Sequence, residues 1–211
     1  MPEVRVDLVL LSLRQPGLQV LLDMGTSGQA WALPGRQLGD RQSLERAAWD
    51  CLRNAADGSR AYLEQLYTYG DPERVAGRRT ISCVYLGLLR SDGPAEATET
   101  RRWHDAARPP RLMHDHRAIL KYALTRLRYK LEYTAVGFEL LPQAFTLSEL
   151  QGAYEAVLGE ELDKRNFRRR ILQAGVIEAM KSYRSGEGRP ARLYRYRDDA
   201  VAEVKARRLF P

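Results

Sequence analysis

FTLSELQGAYEAVLGEELDKRNFRRRILQAG, residues 145 to 175, holds two short helices and the turn between them. Thr146 followed by Glu149 has the spacing of a capping box, in which each residue satisfies a backbone N–H of the other. The helix it opens carries Leu150, Tyr154 and Val157 on one face and stops at Gly159. A second helix is expected from Asp163 to Gln173, ending at Gly175. Its apolar stripe is narrow: Phe167, Ile171 and Leu172. Around that stripe stand Lys164, Arg165, Asn166, Arg168, Arg169 and Arg170.

Downstream, two strand-forming runs, Val176 to Tyr183 and Arg192 to Tyr196, flank a Ser-Gly-Glu-Gly turn at 185 to 188. Helix, short turn, helix and hairpin is the order of a winged helix-turn-helix, whose second helix enters the major groove of DNA. The charge agrees with that order. Residues 164 to 197 hold 11 basic and two acidic residues, whereas residues 1 to 110 are neutral overall. A field this concentrated suits a polyanion, because each neutralised phosphate releases counterions. Arg165, Asn166 and Arg169 are the candidates for base edges, since arginine matches guanine and asparagine matches adenine bidentately. Lys164, Arg168 and Arg170 are candidates for phosphates, and Arg184, Arg189 and Arg192 on the hairpin for the backbone or a minor groove.

Upstream, the spacing predicts a helix over Leu112 to Tyr133, capped by Asp115, with Leu120, Leu124, Leu127 and Leu131 in one stripe. That stripe needs cover, from its own chain or from a second copy. The first half alternates strand and turn signals. Val4, Val6, Leu8 and Leu10 alternate, Gln15-Pro-Gly17 turns the chain, and Leu18 to Leu22 returns. Trp31 to Gly35 reads as a short strand ending in a Pro-Gly loop. Ser43 to Asn54 then switches to helical spacing, with Leu44, Ala47, Ala48, Cys51 and Leu52 on one face. Tyr62 to Tyr69 and Arg79 to Leu89 are further strands, and 91 to 100 a surface loop. The expected organisation is a mixed α/β domain over 1–110, a linker or dimerisation helix over 111–135, and a winged helix over 136–211.

Cys51 and Cys83 have no partner at metal-ligand spacing, so neither a zinc site nor a disulfide framework is expected. No run reaches the 18 or so apolar residues of a membrane helix, and the first residues lack a cleavable leader pattern. The expectation is a cytoplasmic protein without membrane contact.

The stretches at 62–89, 115–133, 138–175 and RPARLYRY at 189–196 together resemble the Nudix-related transcriptional regulators, in which a Nudix hydrolase-like domain precedes a winged helix. The resemblance covers nearly the whole chain in the same order. It implies an α/β Nudix-like domain, a mixed sheet with packed helices, followed by a C-terminal winged helix-turn-helix. It also implies a homodimer on double-stranded DNA, acting as a repressor. Regulators of this kind are similar to sensors of ADP-ribose or related NAD metabolites, and some act on genes of NAD metabolism.

The hydrolase signature, G-x5-E-x7-R-E-U-x-E-E-x-G-U with U a bulky aliphatic, is degenerate here. Its first glycine falls on Arg36, its first glutamate on Gln42, and its Arg-Glu pair on Asp50-Cys51. Leu52 keeps the aliphatic position, Asn54 and Ala55 replace the paired glutamates, and Asp57 stands at the second glycine. Diphosphate hydrolysis needs hard divalent ions held by oxygen ligands. A thiol, an amide and a methyl are not that set. Asp50 and Asp57 lie seven residues apart, about 10 Å along a continuous helix, too far to share an ion. No catalytic residue, metal or cofactor is therefore expected. Arg36, Arg78 and Arg79 are the candidates for clamping an effector diphosphate, a task suited to the guanidinium fork. Two alternatives stand beside this reading: a residual hydrolase whose metal ligands lie outside the signature, and a protein-interaction adaptor.

Overall fold

A computed structural model of the chain describes residues 1–25, 28–56, 61–93, 97–185, 190–197 and 200, with the side chains of 132 and 133 excepted. The chain divides into two compact units, Met1–Leu124 and Thr125–Pro211.

The first unit is built on a mixed seven-stranded sheet. Its strands are β1 (Glu3–Arg14), β2 (Gly17–Met24), β3 (Trp31–Ala32), β4 (Gly35–Gln37), β5 (Ala61–Tyr69), β6 (Thr80–Leu89) and β7 (Arg101–Asp105). The main path runs β3-β2-β1-β6-β5, with β4 also paired to β1 and β7 to β2. β1 and β6 are parallel, with Glu3 opposite Thr80 and Ser12 opposite Leu89; the other pairs are antiparallel. Val6 to Ser12 and Ser82 to Leu89 are buried without a break. Such runs belong to strands covered on both faces.

Helix α1 (Leu44–Ala56) covers one of those faces. Its Ala47, Ala48, Cys51, Leu52 and Ala55 join Val6, Leu8 and Leu10 of β1 and Tyr85 of β6 in one core. The period-two spacing of the β1 residues against the three-and-four spacing of α1 is what lets the two surfaces meet. Helix α2 (His116–Tyr133) follows, and the division between the units falls inside it. Its leucine stripe is buried within the single chain.

Two local expectations change. The 91–100 loop leads into β7, which the sequence hides because Arg101-Arg-Trp-His-Asp105 has no apolar alternation; its pairing with β2 supplies the order instead. The C-terminal helix of the first half starts at His116 rather than Leu112. Asp115 contributes its carbonyl to the first turn, while its carboxylate is bonded to Arg74 rather than acting as the cap.

In the second unit the C-terminal part of α2 is followed by a 3-10 turn at Ala135–Leu140, then α3 (Leu147–Leu158), α4 (Lys164–Ala174), β8 (Ile177–Arg184) and β9 (Ala191–Tyr196). The capping box forms as the spacing predicts: Glu149 N donates to Thr146 Oγ1 at 3.1 Å and Thr146 N to Glu149 Oε2 at 2.7 Å. Asp163 caps α4 through Asn166 N at 2.7 Å. Gly159 and Gly175 end the two helices at φ 79° and 68°, a left-handed conformation that other residues adopt at a cost. The connection between the helices is held from α3: Gln151 Nε2 donates to Leu162 O at 3.0 Å and Leu162 N to Glu155 Oε1 at 2.9 Å. Tyr154 and Phe167 meet edge to face at 5.5 Å in the core. Phe145 exchanges two backbone bonds with Tyr194, which adds a third extended segment beside the hairpin. The Ser-Gly-Glu-Gly turn lies outside the described residues, apart from Ser185.

Thr146→Ala removes the side-chain half of the capping box, the acceptor for the Glu149 N–H, and is expected to cost the second unit about 1 kcal/mol, whereas Thr146→Ser restores most of it. All three tryptophans lie in the first unit. Far-UV circular dichroism during urea unfolding should therefore shift while tryptophan fluorescence stays unchanged.

Candidate effector cavities and nucleic-acid interface

The degenerate signature surrounds a cavity of about 310 Å³ lined by Asp23, Pro34, Gly35, Arg36, Cys51, Asn54 and Arg101. Arg36 is not on a loop but on β4, opposite Val6 of β1. Arg101, at the head of β7, donates Nε and Nη2 to the two oxygens of Asp23 at 2.5 and 3.0 Å. Its Nη1 reaches the carbonyl of Asn54 at 2.7 Å. Burial pushes the Cys51 thiol up to about 12, with Asp7 and Asp23 adding to the shift against Arg101 and Arg36. The wall is thus a neutral thiol at physiological pH.

These groups do not fit a magnesium ion. The three signature positions facing the cavity supply no carboxylate, and both oxygens of Asp23 are engaged by a guanidinium. No group of three or more His, Cys, Asp or Glu among the described residues is placed to hold a metal. Glu45 and Glu64, acids outside the signature positions, do not line this cavity. Positions 42 and 50 are joined by a side-chain bond: Gln42 Nε2 donates to Asp50 Oδ2 at 2.7 Å. Asp57 lies outside the described residues.

A larger cavity of about 570 Å³ shares Asp23 and Gly35 with the first. Its most constrained wall residue is Arg74, 3% exposed, which bonds both oxygens of Asp115 at 2.9 Å and Ser82 Oγ at 2.8 Å. His116, beside Asp115, accepts the Leu33 N–H at Nδ1 over 3.0 Å, which leaves Nε2 as the protonated nitrogen. Thr80 is 2% exposed, lines the same cavity, and its hydroxyl has no hydrogen-bond partner among the described residues. A buried hydroxyl of this kind is one that a polar ligand can satisfy.

The three arginines expected to clamp a diphosphate are not brought together. Arg36 lines the smaller cavity and Arg78 the larger, where Arg78 bonds Glu3 at 3.0 Å. Arg79 lines neither and donates to the Gly70 carbonyl at 2.6 Å. Arg74 and Arg101, which are not among the expected residues, hold the cavity walls instead. Arg74 sits in a polar loop and Arg101 begins the unread strand, so neither carried a local signal.

In the second unit the basic residues of α4 separate into two groups. Lys164, Arg165 and Arg169 are exposed, and Arg169 donates to Asn166 Oδ1 at 2.8 Å. Arg168 and Arg170 are half-buried, and Arg168 bonds Ser148 Oγ of α3 at 3.0 Å. On the hairpin, Arg184 pairs with Glu149 and donates to the Ala144 carbonyl, while Arg192 bonds the Met180 carbonyl at 3.2 Å. Arg189 lies outside the described residues. Lys164, Arg165 and Arg169 form the exposed basic face of α4; Arg168 ties α4 to α3 through Ser148, and Arg184 ties the hairpin to α3 through Glu149.

An α/β unit with a stripped hydrolase signature, followed by a winged helix with a basic second helix, defines a DNA-binding transcriptional regulator. Residues 137–196 match the NrtR DNA-binding winged helix domain. The ADPR responsive transcriptional repressor NtrR of Acinetobacter baylyi is 33% identical over 205 residues, spanning 92% of this chain and 82% of its own length. The crystal structure of Shewanella oneidensis NrtR with a 27mer DNA aligns over 95% of this chain and 96% of that one, at 29% identity and a TM-score of 0.84. The Nudix domain of that protein, complexed with ADP ribose, aligns over 60% of this chain and 89% of its own, at 25% identity and a TM-score of 0.51. The chain belongs to the NrtR-type family of Nudix-related transcriptional regulators, and it is a regulator rather than an active hydrolase. No described helix is long and apolar enough to cross a membrane.

Burial holds His116 neutral down to about 4, against an ordinary 6.5; Asp7 and Asp115 oppose the shift, and His114 and Arg74 add to it. The unfolded chain therefore takes up this proton first as pH falls. The contribution of neutral His116 is complete above 6.5 and is lost towards 4, on the order of 3 kcal/mol across the window. His116→Asn should flatten the pH dependence of unfolding between 6.5 and 4, followed by tryptophan fluorescence. An unchanged slope would mean that other groups set it.

Proposed function

We propose that the chain is a cytoplasmic, homodimeric repressor whose Nudix-like unit binds ADP-ribose or a closely related nucleotide and thereby alters DNA contact. The observation that carries this reading is the 33% identity, over almost the whole chain, to a repressor that responds to ADPR. The two adjoining cavities support it, since together they offer arginines, a buried unsatisfied hydroxyl and a volume suited to a nucleotide. In this reading 1–110 is the sensor, 111–135 the linker and dimerisation helix, and 136–211 the DNA-binding domain. Arg165, Asn166 and Arg169 face base edges. Lys164, Arg168 and Arg170 serve phosphates, with Arg184, Arg189 and Arg192 along the backbone. Of these, Arg168 also ties the reading helix to α3, and Arg184 ties the hairpin to it. A dimer would set two such helices about 34–36 Å apart, one turn of DNA.

Binding of the purified protein to its own upstream DNA, across a salt series and with or without ADP-ribose, tests the proposal. Selective, steeply salt-dependent binding weakened by ADP-ribose is expected. Arg165→Ala should cost about tenfold or more and blur discrimination at one base pair. Lys164→Ala should weaken all sequences alike and reduce the salt slope by about one. Equal, weak binding to any duplex would overturn the repressor reading, and tight binding indifferent to ADP-ribose would overturn the effector.

A further inference from the structure

We propose that the guanidinium groups of Arg36 and Arg101 stand in for the divalent cation of the Nudix hydrolases, so that the smaller cavity binds the effector's phosphates without metal. This rests on the reading of the first unit as a nucleotide sensor, and adds which groups hold the anion and what they replace.

The donor set is the first argument. Cys51 and Asn54 on this wall offer a hard cation no carboxylate, and Asp23, the acid beside them, is already chelated by Arg101. The second is the position of Arg101. Its partners are a carboxylate and the peptide carbonyl of Asn54 in the last turn of α1, where the helix dipole leaves partial negative charge. A guanidinium there is held by the same kind of oxygen atoms that a hard cation selects. Three of its five N–H groups are used by Asp23 and Asn54, leaving two for a ligand.

Arg36 supplies the other side. It is half-buried on β4, lines the cavity, and donates to no described residue. Its charge together with that of Arg101 outweighs Asp23, because the Cys51 thiol stays protonated. The lining therefore carries one net positive charge with no ion added. Two arginines lining one small cavity suit a phosphate or diphosphate, which the guanidinium binds through paired N–H groups.

Calorimetric titration of the full chain with ADP-ribose, in magnesium and again in EDTA, is the primary experiment. The expected result is the same affinity in both buffers and, for Arg36→Gln and Arg101→Gln, losses of about tenfold or more. Arg36→Gln breaks no bond among the described residues, so it keeps the test valid if Arg101→Gln proves unstable by tryptophan-monitored melting. Abolition of binding by EDTA, or an Arg36→Gln protein that binds as the parent does, would overturn the proposal. Inorganic pyrophosphate in EDTA is the second probe, and separates this proposal from the effector reading. Arginine-dependent binding of pyrophosphate without any of ADP-ribose would sink the effector and support the cavity. Silence of both probes would sink both.

Discussion

The first unit depends on one buried guanidinium. Arg74, in the loop between β5 and β6, is almost wholly enclosed and bonds the carboxylate of Asp115 and the hydroxyl of Ser82 at once. Those three residues come from a loop, from the head of α2 and from the parallel strand β6. An arginine taken out of water must have its charge matched and its N–H groups occupied, or it destabilises the fold by several kcal/mol. The bidentate pair satisfies the charge and Ser82 the remaining direction. Loop, helix and strand are thereby fixed to one another at the wall of the larger cavity, beside His116 and Thr80. A ligand entering that cavity meets groups already bonded to the residue preceding α2.

The two cavities differ in what they offer a ligand. The smaller is charged and enclosed by signature residues, with Cys51 neutral and Asp23 neutralised by Arg101. The larger is mixed: acids and bases are paired along its rim, while Thr80 offers an unsatisfied hydroxyl inside it. A phosphate is better accommodated in the first, where positive charge exceeds negative. Polar, uncharged parts of a nucleotide suit the second. Asp23 and Gly35 belong to both, so a ligand long enough to reach from one to the other passes these residues.

Much of this architecture was legible before any coordinates, and the exceptions share a cause. Alternation at Val4 to Leu10 and apolar runs bounded by turn residues gave β1, β2, β5 and β6, and the three-and-four spacing of Leu44 to Leu52 gave α1, because burial on one or both faces writes itself into local order. Thr146, Glu149, Gly159 and Gly175 marked the winged-helix elements through backbone chemistry that acts within four residues. Strand β7 and the roles of Arg74 and Arg101 were not legible. Each depends on a partner far along the chain: Arg101 on Asp23 and Asn54, Arg74 on Asp115. A charged residue in a polar stretch looks the same whether it ends in water or in a bidentate pair. The missing glutamates of the signature could be read directly, but the place of Arg101 beside them could not.

Replacing a metal by a guanidinium changes more than the source of charge. A divalent ion polarises the phosphate and also lowers the pKa of its bound water, which supplies the nucleophile. A guanidinium offers charge and directed hydrogen bonds but cannot activate water by coordination. The same substitution therefore preserves attraction for a diphosphate while removing the step that would destroy it. That combination is what a sensor requires, because a ligand that is consumed on binding reports turnover rather than concentration. Occupancy alone still does nothing to DNA contact; the ligand must bind one conformation of the chain more tightly than another. Helix α2 is the element with residues in both units, and Asp115 at its head is bonded to the cavity wall through Arg74. A ligand that strengthens or loosens the Arg74–Asp115 pair has a physical means of preferring one setting of that helix over another.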